Sequence, residues 1–326
     1  MKVGVLRGGP SSEYDVSLST GGQILANLSD EHEGHDILID KQKVWHFKGL
    51  PVSPARAARQ VDVFFNALHG EYGEDGKVQS ILDQIGVPYT GSGSAASAFG
   101  MDKPKARELF RQAGLRVPPG LTLDTQAASA AELAQLVFSK ISPPWVVKPA
   151  SGGSSVGLYL ARTLPELASM IEVAAEHSTN LLIERHIRGR EVTCGVVDNF
   201  RGQEVYALPP IEIRHPENRA VWTYEDKYNG ATEELCPAPL GDKLNREIER
   251  LALAAHEALG LRHYSRSDFI IPASPADGSS QGIYILEVNS LPGLTKESLL
   301  PKSLAAIGCN YSNFLDHVIR LATERR

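Results

Sequence analysis

The chain has 326 residues, of which 42% are hydrophobic and 22% are charged, and this composition predicts a globular protein with two or three domains. A formal net charge of −6 and a pI near 6.0 argue against a nucleic-acid-binding protein, which needs a basic face to neutralise backbone phosphates. No stretch of 18 apolar residues and no signal-peptide pattern occurs, so we expect a cytoplasmic protein that does not cross a membrane.

The first ninety residues alternate strand and helix patterns. Strands are predicted over residues 2–6, 61–68 and 87–90, and helices over residues 16–28 and 76–85. Such alternation predicts a parallel sheet covered by helices. Ligands of these sheets bind at the carboxyl ends of the strands, where the sequence has the loops 8–13 and 69–71.

The rest of the chain divides into two further blocks of mixed composition. The pattern of the first predicts a compact α+β unit, with helices over 101–115, 127–138 and 165–176 and strands over 145–148, 158–161 and 180–185. The second has a strand at 191–197, an amphipathic helix at 242–259, strands at 264–271 and 283–288, and a last helix at 312–323. We therefore predict domains over 1–92, 93–186 and 187–326, and an active-site lid around 222–230.

Two of these strands carry polar residues at every second position. Residues two apart share a face of a strand, so pairing of 264–271 with 283–288 would bring Asp268, Glu287 and Asn289 together beside Arg266. Oxygen ligands of this kind suit Mg²⁺ held against phosphate. The alternative is a solvated sheet face, or a salt bridge between a carboxylate and Arg266. It is weakened because an unpaired charge in an apolar strand is costly.

Three glycine-rich or polar segments are candidates for nucleotide contacts. The loop 150–157 follows Lys148 and offers backbone amides to phosphate, although an ordinary hairpin fits it as well. The segment from Glu184 to Glu191 is either a surface linker or an adenine pocket whose Glu191 binds the ribose. The segment 91–96 matches GxGxxA, but the helix at 101–115 occupies the place of the second strand that a dinucleotide site requires.

Taken together, these strings resemble the ATP-grasp enzymes, and among them the D-alanine:D-alanine ligases. The resemblance runs along almost the whole chain and implies a three-domain ATP-grasp architecture with an N-terminal α/β domain. The order and spacing of the strings make it specific. They lie at residues 8–17, 68–70, 74–76, 89–93, 101–103, 148–149, 153–157, 227–228, 266–268, 287–289 and 292–295.

The resemblance implies a role for each matching residue on the nucleotide side. Asp268, Glu287 and Asn289 would bind two Mg²⁺ ions, which Mn²⁺ can replace. The residues implied to contact ATP, through phosphates, adenine or ribose, are Lys103, Lys148, Ser155, Glu184, Arg185, His186, Ile187, Glu191 and Lys227.

It also implies how two amino acids would be held. Glu13 would bind the ammonium of the first D-alanine, with His69 near its carboxylate, and Ser154 and Tyr228 would join Glu13 in a hydrogen-bonded trio. The second amino acid would lie against Ser298 and Leu299, and Arg266 with the amide of Gly293 would hold the oxyanion.

The implied activity is ATP-dependent formation of D-alanyl-D-alanine for peptidoglycan precursors, through an acyl phosphate, by a protein that forms a homodimer. Lys296 and Glu297 precede Ser298, where many relatives carry a His, so D-serine or D-lactate as second substrate stays open. So does another carboxylate–amine ligase reaction of the ATP-grasp class. Two alternatives from other classes are an inactive nucleotide-binding regulator and an NAD-dependent oxidoreductase built on segment 91–96.

Overall fold

The computed structural model of the chain describes residues 1–152, 157–215, 232–273 and 282–324. These residues form three β-sheets with helices packed on them. Each sheet falls inside one of the three predicted domain ranges, while the boundaries themselves stay a prediction. In the described ranges, no helix combines the length and apolar content that crossing a bilayer requires.

The first sheet has the strand order β4-β3-β2-β1-β5. Its central strand β1 pairs in parallel with β5, as the alternating pattern predicted, and also with β2, which sequence analysis missed. The strands β3 and β4 add an antiparallel hairpin at one edge. The predicted strand at 87–90 contributes only a bridge between Tyr89 and Phe64. The elements are β1 (Lys2–Gly8), α1 (Tyr14–Asn27), β2 (Glu33–Ile39), β3 (Trp45–Phe47), β4 (Leu50–Val52), α2 (Pro54–Ala58), β5 (Val63–Asn66) and α3 (Lys77–Ile85).

The second sheet is antiparallel, in the order β6-β9-β7-β8, and encloses a core around Trp145. Two helices that precede this sheet, α4 and α5, meet at Asp102, whose side chain caps α5 by accepting from the amide of Lys105. The elements are α4 (Ser94–Met101), α5 (Lys103–Gln112), β6 (Gly120–Asp124), α6 (Ala130–Lys140), β7 (Trp145–Pro149), β8 (Tyr159–Ala161), α7 (Leu164–Ala175) and β9 (Asn180–Arg185).

The third sheet follows the order β13-β12-β10-β14-β15, with β11 also paired to β10. Its long central strand β10 pairs with three others, β11, β12 and β14. The predicted neighbours β14 and β15 are confirmed as an antiparallel pair. The elements are β10 (Gly189–Phe200), β11 (Gln203–Ala207), β12 (Ile211–Arg214), β13 (Glu233–Leu235), α8 (Asp242–Ala258), β14 (Tyr264–Pro272), β15 (Tyr284–Asn289), α9 (Leu299–Ala306) and α10 (Tyr311–Thr323).

The hydrophobic cores cross from one predicted domain to another. Val3 and Phe65 of the first sheet share a cluster with Tyr264 and Phe314 of the third part of the chain. Phe110 of α5 likewise packs in one cluster with residues of α8 and β14. Because apolar side chains interlock across these contacts, the carboxyl ends of β1 and β5 are held in a fixed relation to the β14–β15 pair.

Candidate active site

A cavity of about 620 Å³ opens between the N-terminal loops and the β14–β15 pair. It is lined by residues from all three predicted domain ranges. Nine of the predicted site residues line it: Glu13, His69, Lys103, Arg266, Glu287, Asn289, Gly293, Ser298 and Leu299. The fold thus brings together residues that are far apart in the sequence, up to 286 positions for Glu13 and Leu299.

The β14–β15 register sets four polar side chains on one face. Asp268 lies opposite Glu287 and Arg266 lies opposite Asn289, with a β-bulge between Asp268 and Phe269. Among the described residues, no cluster of three or more His, Cys, Asp or Glu side chains is arranged to hold a metal ion. The donor set is therefore two carboxylates and one amide oxygen, which suits a hard cation that keeps water or phosphate ligands, such as Mg²⁺.

Asp268 is buried and its carboxylate is surrounded by donors. Arg266 donates to both of its oxygens at 3.0 Å and 2.9 Å, the Thr193 hydroxyl donates at 2.6 Å, and the Asn289 amide donates at 3.2 Å. Burial disfavours the charged form of the guanidinium, but the carboxylate of Asp268 more than offsets this and raises the pKa of Arg266. The salt bridge to Arg266, which the sequence analysis gave as an alternative to a metal site, is therefore present.

Glu13 lies at the start of α1, next to the glycine of the loop that follows β5. Gly70 has a left-handed backbone with φ +68°, and a Cβ atom there would lie 2.9 Å from Oε2 of Glu13. The Ser11 hydroxyl donates to the His69 carbonyl at 2.6 Å and accepts from the Glu13 amide at 3.2 Å. These contacts join the two predicted loops at the carboxyl ends of β1 and β5.

His69 is buried between two side chains that sequence analysis did not single out. Its Nε2 lies 2.9 Å from the Thr20 hydroxyl, and its Nδ1 lies 3.6 Å from Oε1 of Glu74. Glu74 also accepts from the Gly70 amide at 2.9 Å. Because both ring nitrogens face protein groups, the imidazole is oriented by Thr20 and Glu74.

Lys103 is the first residue of α5 and contacts the loop that follows β7. Its backbone amide donates to the Ala150 carbonyl at 3.0 Å, and its ammonium donates to the Gly152 carbonyl. The predicted site residues Ser154, Ser155, Lys227 and Tyr228, and the predicted lid at 222–230, lie outside the described residues.

Lys148 and Glu184 form a buried pair with Nζ and Oε2 2.5 Å apart. A third member, Arg107 of α5, contacts the other carboxylate oxygen of Glu184, and sequence analysis missed it. The helical spacing was the available signal, since Arg107 follows Lys103 by four residues and therefore shares its face of the helix. Burial is the main cause that lowers the pKa of Lys148, to about 7, with Lys103 and Arg107 acting in the same direction.

The segment from Glu184 to Glu191 joins the second and third sheets. The amides of Arg185 and His186 donate to the carbonyls of Pro119 and Pro144, both at 2.8 Å. Adenine recognition by this segment, which includes Ile187, would therefore use its other backbone groups. Glu191 begins the buried stretch of β10, and its Oε2 lies 2.9 Å from Nε2 of His215.

Ser298 caps a short loop at the far end of the cavity, directly before α9. Its hydroxyl accepts from the Thr295 amide at 3.1 Å and lies 2.8 Å from the Thr295 hydroxyl. Gly293 approaches it so closely that a Cβ atom would lie 2.7 Å from Oγ of Ser298. In the GxGxxA segment, Gly91 packs against the Leu291 side chain, and its amide donates to Nδ1 of His263 at 3.0 Å, so this amide is not offered to a phosphate.

Two family models match this chain. The model of the D-ala D-ala ligase N-terminus covers residues 49–92, and that of the D-ala D-ala ligase C-terminus covers residues 109–320. The chain is 38% identical over 331 residues to a D-alanine–D-alanine ligase from Desulfotalea psychrophila, covering 100% of this chain and 96% of the relative. A D-alanine–D-alanine ligase from Halalkalibacterium halodurans is 38% identical over 332 residues and covered completely on both sides.

Solved structures give the same result for the fold. The VanG D-Ala:D-Ser ligase from Enterococcus faecalis superposes with a TM-score of 0.85 at 29% identity, over 99% of each chain. The D-alanine–D-alanine ligase from Bacillus anthracis complexed with ATP superposes with a TM-score of 0.78 at 33% identity, over 99% of this chain and 97% of that one. The chain therefore belongs to the D-alanine–D-alanine ligase family.

Proposed function

We propose that the chain is an ADP-forming ligase that joins two D-alanines into D-alanyl-D-alanine for peptidoglycan precursor synthesis, with ATP as co-substrate. The observation that carries the proposal is the cavity itself. It sets the carboxylate of Glu13 and the imidazole of His69 across from Arg266, Glu287 and Asn289. Full-length similarity to curated ligases and the ATP complex of the Bacillus anthracis relative support this reading.

The nucleotide would lie between the second and third sheets. Lys103 and Lys148 would neutralise its phosphates, together with Lys227 and Ser155 of the segments that the structure does not describe. Glu184 and the backbone from Arg185 to Ile187 would hold adenine, and Glu191 the ribose. A reaction of this type depends mainly on positioning and on fixed charges, because phosphoryl transfer asks for little covalent chemistry from the protein.

The donor set formed by Asp268, Glu287 and Asn289 fits Mg²⁺, of which the family resemblance implies two ions. When bound there, Mg²⁺ supplies positive charge that polarises and neutralises phosphate oxygens. Asp268 would have to exchange its bonds from Arg266 and Asn289 for contacts with the ion. Arg266 would then be released towards the cavity that it lines.

The first D-alanine would bind with its ammonium at Glu13 and its carboxylate near His69, and Ser154 and Tyr228 would complete the contacts of Glu13. Its carboxylate would take the γ-phosphoryl group of ATP, because a free carboxylate is a poor acyl donor. ADP is left by this transfer. The amine of the second D-alanine, seated against Ser298 and Leu299, would attack the acyl carbon, forming the peptide bond and breaking the bond to phosphate, which leaves as inorganic phosphate. Arg266 and the Gly293 amide would stabilise the oxyanion, and loss of one such donor typically raises the barrier by about 3 to 4 kcal/mol.

D-serine is the main alternative to D-alanine as second substrate, because one structural neighbour is a D-Ala:D-Ser ligase. Glu297 precedes Ser298 at the cavity, where its carboxylate lies 3.5 Å from the Lys302 ammonium. A polar group here can favour a second substrate with a hydroxyl. Tyr228 argues against D-lactate, because it matches the residue of dipeptide-forming relatives and depsipeptide-forming relatives usually lack it. We propose D-alanine and not D-serine because the curated relatives that are 38% identical over the whole chain are D-alanine–D-alanine ligases.

We test the proposal by ADP release with D-alanine, D-serine, D-lactate and L-alanine as substrates, each with and without Mg²⁺. We expect release with D-alanine and Mg²⁺ and a dipeptide product. If ADP is released only when D-serine or D-lactate is present together with D-alanine, that compound and not D-alanine is the second substrate. We further propose a cytoplasmic homodimer, on the resemblance alone, and sedimentation at micromolar concentration would reject the dimer by returning a single species of 35 kDa.

A further inference from the structure

Three charged side chains are in contact in the interior between α5, β7 and β9. Arg107, Lys148 and Glu184 are each at most 8% exposed. Lys148 and the guanidinium of Arg107 contact different oxygens of the Glu184 carboxylate, and Nη2 of Arg107 also donates to the Pro118 carbonyl at 2.6 Å. Two cations thus share one carboxylate, and the cluster as a whole has one positive charge in excess.

The backbone beside the cluster is shaped to admit Arg107. Gly120 lies opposite Glu184 in the β6–β9 register. A Cβ atom at Gly120 would lie 2.9 Å from Nη2 of Arg107 and 3.1 Å from Cγ of Glu184. A side chain at this position would push the guanidinium away from the carboxylate, so packing fixes the contact and the position of Arg107 is well defined.

A second cation changes what Lys148 can do. If Glu184 faced Lys148 alone, the two would form a neutral pair with little attraction for an anion. Because Arg107 also neutralises Glu184, positive charge remains at Lys148, and excess charge in a buried place is costly until an anion compensates it. Without an anion, burial and the nearby cations lower the pKa of Lys148 to about 7. A bound phosphate favours the ammonium form, so the excess positive charge is fully held when the anion is present.

We propose that Arg107 is a positioning residue of the nucleotide site. By neutralising Glu184, it leaves the charge of Lys148 available to the phosphates of the nucleotide. The inference rests on the proposed function, in which Lys148 contacts ATP, and it adds a residue that makes no contact with the nucleotide in that proposal. Its distinctive consequence is that Arg107 strengthens the binding of the charged part of the ligand more than the binding of the nucleoside.

The test compares three variants of the full-length chain by calorimetry with ATP and with adenosine. Arg107→Met removes the charge at similar length, Arg107→Lys keeps the charge, and Arg111→Met is the matched control on the exposed next turn of α5. For Arg107→Met we expect the Kd of ATP to rise at least tenfold and that of adenosine less than threefold. For Arg107→Lys and Arg111→Met we expect the Kd of ATP to stay within threefold of the unmodified chain.

Several results would overturn the inference. An unchanged Kd for ATP in Arg107→Met, or an equal rise for ATP and adenosine, would give Arg107 a merely structural role. If Arg107→Met does not unfold cooperatively on heating, Arg107→Lys decides, because a tenfold loss of ATP affinity there contradicts a role through charge. Failure of the unmodified chain to bind ATP would instead overturn the proposed function and this inference together.

Discussion

The guanidinium of Arg266 donates two hydrogen bonds to the carboxylate of Asp268, and the two residues lie two positions apart on the same face of β14. Such a two-point pair is stronger than a single charge-assisted hydrogen bond. It means that a divalent cation reaching Asp268 must displace Arg266. The proposed metal ligand and the proposed oxyanion donor are therefore linked. A cation that binds Asp268 would free the guanidinium of Arg266 to contact the oxyanion.

Asp268→Asn is expected to abolish turnover while the fold stays intact, because the amide keeps the size of the side chain but loses the charge that holds the metal ion. We expect kcat to fall by at least about 100-fold, with an unchanged circular dichroism spectrum. The exposed Glu204→Gln on β11 serves as control for the loss of one carboxylate. Turnover in Asp268→Asn within threefold of the unmodified chain would rule out the metal assignment.

Gly70→Ala tests the contact between the His69 loop and Glu13. The substitution forces a side chain into a left-handed backbone, at a cost of about 1 to 2 kcal/mol of stability, and places Cβ 2.9 Å from the Glu13 carboxylate. Gly114→Ala is the matched control, since it has φ +77° and no atom within 4 Å of the added Cβ. We expect similar losses in the free energy of unfolding.

The two glycine variants should differ in activity. Because only Gly70→Ala displaces Glu13, we expect it alone to raise KM for the first D-alanine, by about tenfold for a disturbed charge contact worth roughly 1.4 kcal/mol. Steady-state kinetics with varied D-alanine measures this. Equal KM values for the two variants would show that Glu13 does not bind the first substrate.

Nucleotide binding should take up protons above neutral pH. The pKa of Lys148 is lowered from 10.5 to about 7 in the folded chain, so its amine is mostly neutral at pH 8. Phosphate anions favour the ammonium form and raise this pKa again. We expect ATP binding to take up a proton at pH 8 and almost none at pH 6, and not to do so in Lys148→Arg.

The measurement for this is calorimetry of ATP binding in buffers with different enthalpies of ionisation. A binding enthalpy that depends on the buffer at pH 8 but not at pH 6 agrees with the prediction. A binding enthalpy that is independent of the buffer at both values of pH contradicts it.

Asp198 of β10 holds His256 and His263 in the interior of the third part of the chain. It accepts from the His263 amide at 2.6 Å and lies 3.2 Å from Nε2 of His256, whose other ring nitrogen is 2.7 Å from the Ser265 hydroxyl. The arrangement of Ser265, His256 and Asp198 resembles a hydrolase triad, but all three residues are buried, so no substrate can reach it. The effect of Asp198 is therefore on stability: it fixes His263, whose imidazole in turn accepts from the amide of Gly91, in the segment that follows the first sheet.

Asp198→Asn is therefore expected to lower the free energy of unfolding by about 3 kcal/mol, as for removal of one partner from a buried pair. Burial alone would raise the pKa of Asp198, but the contacts with His256 and His263 lower it below its usual 3.8. The stabilisation is thus present above pH 3.8 and is lost as the pH falls further. Urea unfolding at pH 7 measures this free energy, with the exposed Asp124→Asn as control. Equal free energies of unfolding for the two variants would contradict the prediction.

Sequence alone could predict the β14–β15 site because its information is local. A period of two places Asp268 and Glu287 on one face, and only the pairing of two neighbouring strands had to be assumed. The parallel strands β1 and β5 were predictable for the same reason. The strands β2, β3 and β4 were missed, because residues 33–58 mix exposed polar and buried apolar positions without a sustained period.

The partners of buried charges could not be predicted. Arg107 and Glu184 are 77 positions apart, and their contact depends on how α5 packs beside β9. Thr20 and Glu74 orient His69 for the same kind of reason, since three separate segments meet there. Long-range packing decides these contacts, and a single sequence contains no periodic signal for it.

The most direct test of the proposed reaction is ADP release by the purified chain with ATP, Mg²⁺ and D-alanine, coupled to detection of the dipeptide. We predict that D-alanine-dependent ADP release and D-alanyl-D-alanine appear in equal amounts, and that both disappear when Mg²⁺ is removed with a chelator. No ADP release above the rate without amino acid, at any D-alanine concentration up to saturation, would contradict the proposal.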